Sequence, residues 1–144
     1  MPGIHHYGLT VADIDRSVRF YRALWPDAEV SPIEPGDDPR PSRLVAVPDA
    51  GLRGAMLTTP GGVALEILRY ASAQVRRLDT RPCDVPTMHL AIAVDDLDAA
   101  ARAAAQAGGR AVGAPVDFET GRYQYCADPD GHFIELIEPA QEDQ

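Results

Sequence analysis

Two short stretches of the chain share one alternation of bulky and small positions. Tyr7, Leu9 and Val11 alternate with His6, Gly8 and Thr10; much later, Leu90, Ile92 and Val94 alternate with His89, Ala91 and Ala93. A period of two is that of a β-strand, whose successive side chains point to opposite faces. Each stretch therefore predicts a strand with one bulky apolar face for packing under a helix. Its other face carries a single His among very small residues. Each strand runs into an aspartate, Asp13 or Asp96, and the period then changes. Ile14, Val18, Phe20, Tyr21 and Leu24 recur near helical spacing after Asp13, and Leu97 opens an Ala-rich run that ends at Gly108-Gly109. The Ala-rich run 99–107 is a good helix by propensity alone. Both aspartates fit the helix N-cap, where a carboxylate accepts backbone N–H bonds that lack an intrahelical partner.

The pattern repeats again further on. Gly61-Gly62 leads into Ala64-Leu65-Glu66-Ile67-Leu68, and Asp130-Gly131 leads into Phe133-Ile134-Glu135-Leu136-Ile137. Each is a tight turn followed by a strand with a carboxylate at its middle. Leu65 and Ile67 take one face and Glu66 the other; Ile134 and Leu136 oppose Glu135 in the same way. Two more strands per half are expected, near 43–48 and 53–59, and near 110–113 and 121–127. Residues 31–42 hold four prolines and read as a surface loop. The order is βαβββ, twice: an α+β fold of two modules, about 4–69 and about 87–138, joined by a linker at about 70–86.

Composition narrows the function classes. With 144 residues, the chain suffices for one ordinary domain or two half-size modules sharing a core. A net charge of −9 argues against nucleic acid, which needs a clustered basic surface. All 13 basic residues are Arg, so Schiff-base chemistry and a phosphate-loop lysine are excluded. Cys83 and Cys126 form no CxxC pair and read as inert. With no charged-then-apolar leader and no long apolar run, the expectation is a cytoplasmic protein with no membrane span.

The chemistry lies on the faces turned away from the helices. A mid-strand carboxylate among hydrophobic residues is costly to bury unless paired or bound to metal. Two such positions, Glu66 and Glu135, each accompanied by a His at the equivalent place, point to one shared cation. His6 is preferred over His5, which is expected on the helix side and lacks the five-residue spacing to Val. His132 follows a turn and is a weaker candidate still. Arg53, Arg122, Tyr123 and Tyr125 are candidates for substrate binding or, equally, for surface packing.

Together these openings and closings, His6-Tyr7-Gly8 through Asp13, His89-Leu90-Ala91 through Asp96, and Asp128-Pro129-Asp130-Gly131 through Glu135-Leu136, resemble the vicinal oxygen chelate superfamily. That group includes glyoxalase I, methylmalonyl-CoA epimerase, extradiol dioxygenases, fosfomycin-modifying enzymes and bleomycin-binding proteins. The resemblance covers about residues 4–138. It implies two paired modules curling into a cup-shaped mixed sheet, often completed by homodimerisation. It also implies that His6, Glu66, His89 and Glu135 hold one divalent metal ion (Zn, Ni, Co, Mn or Fe(II)), with open positions for vicinal oxygens of a small-molecule substrate. The leading expectation is a metal-dependent isomerase or lyase that removes a proton next to a chelated carbonyl, with Glu66 and Glu135 as candidate bases. The small and apolar residues of the first strand stand where glyoxalase I relatives carry a glutathione-holding arginine. Two other readings follow from the same fold: a ferrous extradiol-type dioxygenase, and a non-catalytic protein that sequesters a drug-like ligand.

Overall fold

The computed structural model describes residues 2–71 and 75–141. The chain divides into two compact units, Met1–Arg77 and Leu78–Gln144. Each is a mixed α+β layer with its own sheet.

In the first unit, strand β1 (Tyr7–Thr10) leads to helix α1 (Ile14–Leu24). Strand β2 (Glu29–Ile33), a short helix α2 (Arg40–Val45) and strands β3 (Arg53–Thr58) and β4 (Ala64–Arg69) follow. The sheet order is β1-β4-β3-β2; β1 runs parallel to β4 and the other pairs are antiparallel. The second unit repeats this with β5 (His89–Ala93), α3 (Leu97–Gln106), β6 (Arg110–Ala111), β7 (Val116–Phe118), β8 (Gly121–Ala127) and β9 (Phe133–Pro139). Here the order is β5-β9-β8-β6, with β7 also paired to β8.

The helices begin where the aspartates place them. The Asp13 carboxylate accepts from the Arg16 backbone N–H, and the Asp96 carboxylate accepts from that of Ala99, both at 2.8 Å. Asp15 and Asp98 add negative charge to the two first turns, complementing the helix dipoles. Helix α3 ends in a Schellman turn: Gly109 N–H bonds the Ala104 carbonyl at 2.9 Å and Gly108 N–H that of Ala105 at 3.2 Å. Gly108 sits at φ +95°, a conformation that a side chain disfavours.

Each helix covers the bulky face of its own sheet. Ser17, Phe20 and Tyr21 of α1 are fully buried, and so are Leu57, Leu65 and Ile67 of the sheet. In the second unit the matching layer is Leu97, Ala104, Ile134 and Leu136 with Cys126. The spacing of 17, 20 and 21 is that of one helical stripe, and 65 and 67 share one strand face. This layer fixes the register that sends Glu66 and Glu135 to the opposite side.

Two local expectations give way. The segment 43–48 is not a strand: it overlaps α2, and the outer sheet partner of β3 is β2, whose last three residues fall in the stretch read as a Pro-rich loop. Pro41 suits the first turn of a helix, where its missing N–H costs nothing. Leu44, whose apolar character suggested a buried strand, is 86% exposed. Pro32 is tolerated in β2 because that strand is the edge of its sheet. The short strand β7, not anticipated, is exposed along its whole length and pairs only with β8.

No helix among the described residues is long and apolar enough to cross a membrane.

Candidate functional site

Parallel pairing of the first and last strands of each unit places the His and Glu side by side. In the first unit Gly8 stands opposite Glu66, two positions after His6. In the second, Ala91 stands opposite Glu135, two positions after His89. The small residue beside each carboxylate leaves it room; a Cβ added to Gly8 would lie 3.7 Å from Glu66 Oε2. The outcome is one distance repeated. His6 Nε2 lies 3.3 Å from Glu66 Oε2, and His89 Nε2 lies 3.4 Å from Glu135 Oε2. The carboxylates are mostly buried, at 24% and 22% exposure, and the imidazoles half-exposed.

These separations are long for a charge-assisted hydrogen bond, which closes to about 2.7–2.9 Å. They match two donors on one ion: bonds of about 2.1 Å meeting at 90–109° put the donor atoms about 3.0–3.4 Å apart. Nitrogen and carboxylate oxygen are a donor set for borderline divalent cations. The residues therefore fit a metal. Among the described residues no three or more His, Cys, Asp or Glu side chains are gathered as a metal group, so each pair offers two donors within its own unit.

The surroundings of the two pairs differ. His5, expected on the helix side, instead places its Nδ1 2.8 Å from His6 Nδ1, with the two rings edge-on at 5.1 Å. His5 lies two residues before the first position of β1. A hollow of about 230 Å³ lies beside them, bordered by Tyr7, Gly62 and Val63. His89 has an aromatic neighbour: the Tyr125 ring is 5.2 Å away and tilted by 53°. Tyr125 is in register with Glu135, as Met56 is with Glu66. Burial, and secondarily the Glu135 charge, raises the Tyr125 phenol above its ordinary range.

Alternation sorts the remaining candidates. Tyr123 and Tyr125 share the face of Glu135, because Tyr123 is in register with Ile137. Tyr123 bonds Thr120 through its hydroxyl at 2.8 Å and meets Phe118 edge-on at 5.4 Å. Arg122 lies on the helix face. It bonds Asp117 at 2.9 Å and Asp98 at 3.2 Å, and the Asp98 bond is the main cause of its raised pKa. Arg53 also lies away from Glu66, in register with Arg69, where both border a cavity of about 560 Å³ with Val18, Pro32 and Ala55. The structure therefore brings Tyr123 and Tyr125 to the His–Glu face and separates Arg53 and Arg122 from it. Val116 and Phe118, in register with Tyr123 and Gly121, join that face and were missed. Their only signal was an apolar–polar–apolar triplet ahead of Gly121. His132 caps the turn with its backbone, donating to the Asp128 carboxylate at 2.9 Å.

Comparison with known proteins agrees with this architecture. The model of the Glyoxalase/Bleomycin resistance protein/Dioxygenase superfamily matches residues 3–136. The chain belongs to that superfamily. Within reach of it, a 2-epi-5-epi-valiolone epimerase of an Actinomyces species is 35% identical over 143 residues, covering 93% of this chain and 78% of that protein. A candidate glyoxylase of Mycobacterium tuberculosis, CFP32, is 33% identical over 93 residues; the match covers 62% of this chain and only 36% of that longer protein. The superfamily fold is also seen in the crystal structure of a glyoxalase family protein from Bacillus cereus. It superposes with a TM-score of 0.79 at 21% identity, over 96% of this chain and 94% of that one.

Proposed function

We propose that the chain is a metal-dependent isomerase that removes and returns a proton next to a carbonyl of a small metabolite. The observation that carries this is the repeated His–Glu pair, at 3.3 Å in one unit and 3.4 Å in the other, on the face opposite each helix. The epimerase likeness supports an isomerase over other chemistries of the superfamily, since it spans nearly the whole chain. His6, Glu66, His89 and Glu135 together would hold one divalent cation, which when bound supplies Lewis acidity to the substrate carbonyl.

The rest is the work of the chain's own groups. Epimerisation takes a proton from one face of a carbon and delivers one to the other, so atoms and charge balance with no co-reactant. Carboxylates suit both steps, and Glu66 and Glu135 are the two that stand among the candidate ligands. Tyr123 and Tyr125, on the face of Glu135, would orient the substrate body.

Elemental analysis and incubation of 2-epi-5-epi-valiolone, the compound named for the epimerase relative, in deuterium oxide test the reading together. One divalent ion per chain, lost in Glu135→Ala, and metal-dependent exchange at the carbon next to the carbonyl are expected. Turnover only with ferrous iron and dioxygen would overturn it in favour of a dioxygenase. Full binding of a drug-like ligand by metal-stripped protein, without exchange, would overturn it in favour of a sequestering protein. A homodimer is part of the proposal. If a second copy completes each ligand set, mixing His6→Ala and His89→Ala chains restores a fraction of the activity that neither has alone.

A further inference from the structure

We propose that His5 is a positioning residue that holds His6 in the tautomer able to bind metal; this rests on the metal reading above. A neutral imidazole carries one N–H and one lone pair. The 2.8 Å contact between His5 Nδ1 and His6 Nδ1 is a hydrogen bond only if one of those two atoms carries the hydrogen and the other does not. For two neutral rings, two arrangements satisfy it. With the hydrogen on His5, the His6 Nδ1 accepts, and His6 Nε2–H faces the Glu66 carboxylate at 3.3 Å. With the hydrogen on His6, Nδ1–H donates to His5, and the bare Nε2 lone pair faces the carboxylate across the same gap. Two acceptors facing each other repel unless a cation lies between them. The second arrangement is therefore the one a cation selects, and His5 is the acceptor that makes it possible.

Metal-binding histidines usually have such an outer partner on the second nitrogen, fixing both tautomer and ring angle. A carboxylate or backbone carbonyl is the common choice; here it is the preceding imidazole. The hollow bordering His5 and His6 gives both rings room to adopt the edge-on geometry. His89 has a tyrosine ring against its face, so the two halves hold their imidazoles by different means.

The test compares Zn²⁺ affinity of chelator-stripped wild type, His5→Ala, His5→Asn and His6→Ala, by competition with a chromophoric chelator. Far-UV circular dichroism checks that each variant folds. His5→Ala should weaken binding by about 10- to 100-fold without changing the number of ions bound. His5→Asn, whose side-chain oxygen accepts the same N–H, should recover most of that loss. Nitrogen-15 correlation spectra of the Zn²⁺-loaded protein should place the His6 hydrogen on Nδ1, and its signal should lose definition in His5→Ala. Wild-type affinity in His5→Ala, or a His6 hydrogen on Nε2 in the loaded protein, overturns the proposal while leaving the metal site intact. Wild type that binds no Zn²⁺ overturns the metal reading, and this proposal with it.

Discussion

The two units reach the same His–Glu separation with different neighbours. In the first unit the residue in register with the carboxylate is Met56, and the histidine leans on another histidine. In the second, the equivalent positions are Tyr125 and a strand flanked by Tyr123, Val116 and Phe118. What repeats is the donor set, the N-cap aspartate, the parallel register and the buried aliphatic pair beneath. What diverges is the set of side chains beside each His–Glu pair. Phe118 and Val116 are 63% and 49% exposed. The His–Glu pair is common to both units, while the aromatic side chains on its face belong to the second.

The ligand half of that comparison breaks most visibly. Glu66→Ala and Glu135→Ala should each lower metal affinity by more than about 100-fold, beyond what a lost outer partner costs. Isothermal titration with Zn²⁺ reads both. A loss confined to one unit would mean that only one pair binds metal. The packing half should be symmetric too. Ile67→Ala and Leu136→Ala remove fully buried side chains from equivalent positions, and each should cost about 2–5 kcal/mol in urea unfolding. A much smaller cost in either unit would show that its core tolerates a gap the other does not.

Much of this was legible beforehand because it depends on period and repetition. The alternation at Tyr7–Val11 and Leu90–Val94, and the carboxylates at Glu66 and Glu135, fixed the faces without any three-dimensional information. The misreadings came where local signals compete. The apolar run containing Leu44 mimics a strand yet lies largely in the short surface helix α2, while Pro32 disguised a true edge strand. Arg53 and Arg122 looked like candidates by residue type, but strand parity put both on the helix side. His5 was expected on the helix side, and its ring lies beside that of His6 instead. Side-chain neighbours across strands, such as Tyr125 beside His89, follow from register, which no single stretch of sequence specifies.

A titratable difference lies inside the cores. Cys126 of the second unit occupies the place of Leu57 in the first, each in register with the strand residue just before the carboxylate. Burial, reinforced by Asp128, pushes the Cys126 thiol up to about 11. The folded state thus favours the neutral thiol more than the unfolded chain does. That contribution is intact below the ordinary thiol range and lost as pH rises through about 11. Unfolding curves between pH 8 and 11 should show the loss in wild type and a flatter profile in Cys126→Val. The same slope in both would assign the alkaline loss to other groups.

The smallest effect concerns the caps, and it sharpens the comparison because the geometry is identical. Asp13 and Asp96 each accept one backbone N–H at 2.8 Å, three residues on. Removing either acceptor leaves a first-turn N–H without its partner, at a cost of about 1 kcal/mol. The two helices differ in how much they rely on it. Helix α3 is mostly alanine, the best intrinsic former, whereas α1 carries Ile14, Val18, Phe20 and Tyr21, which lose side-chain freedom in a helix. Helix α1 offsets this by burying Phe20 and Tyr21 completely, while α3 buries little beyond Leu97 and Ala104. The cost should therefore be similar in global unfolding. In native-state hydrogen exchange it should fall on different amides: Asp96→Ala should open the first turn of α3 on its own, and Asp13→Ala should leave the packed middle of α1 protected. Equal, helix-wide loss of protection in both variants would mean that the deeper burial of α1 protects it no better than α3.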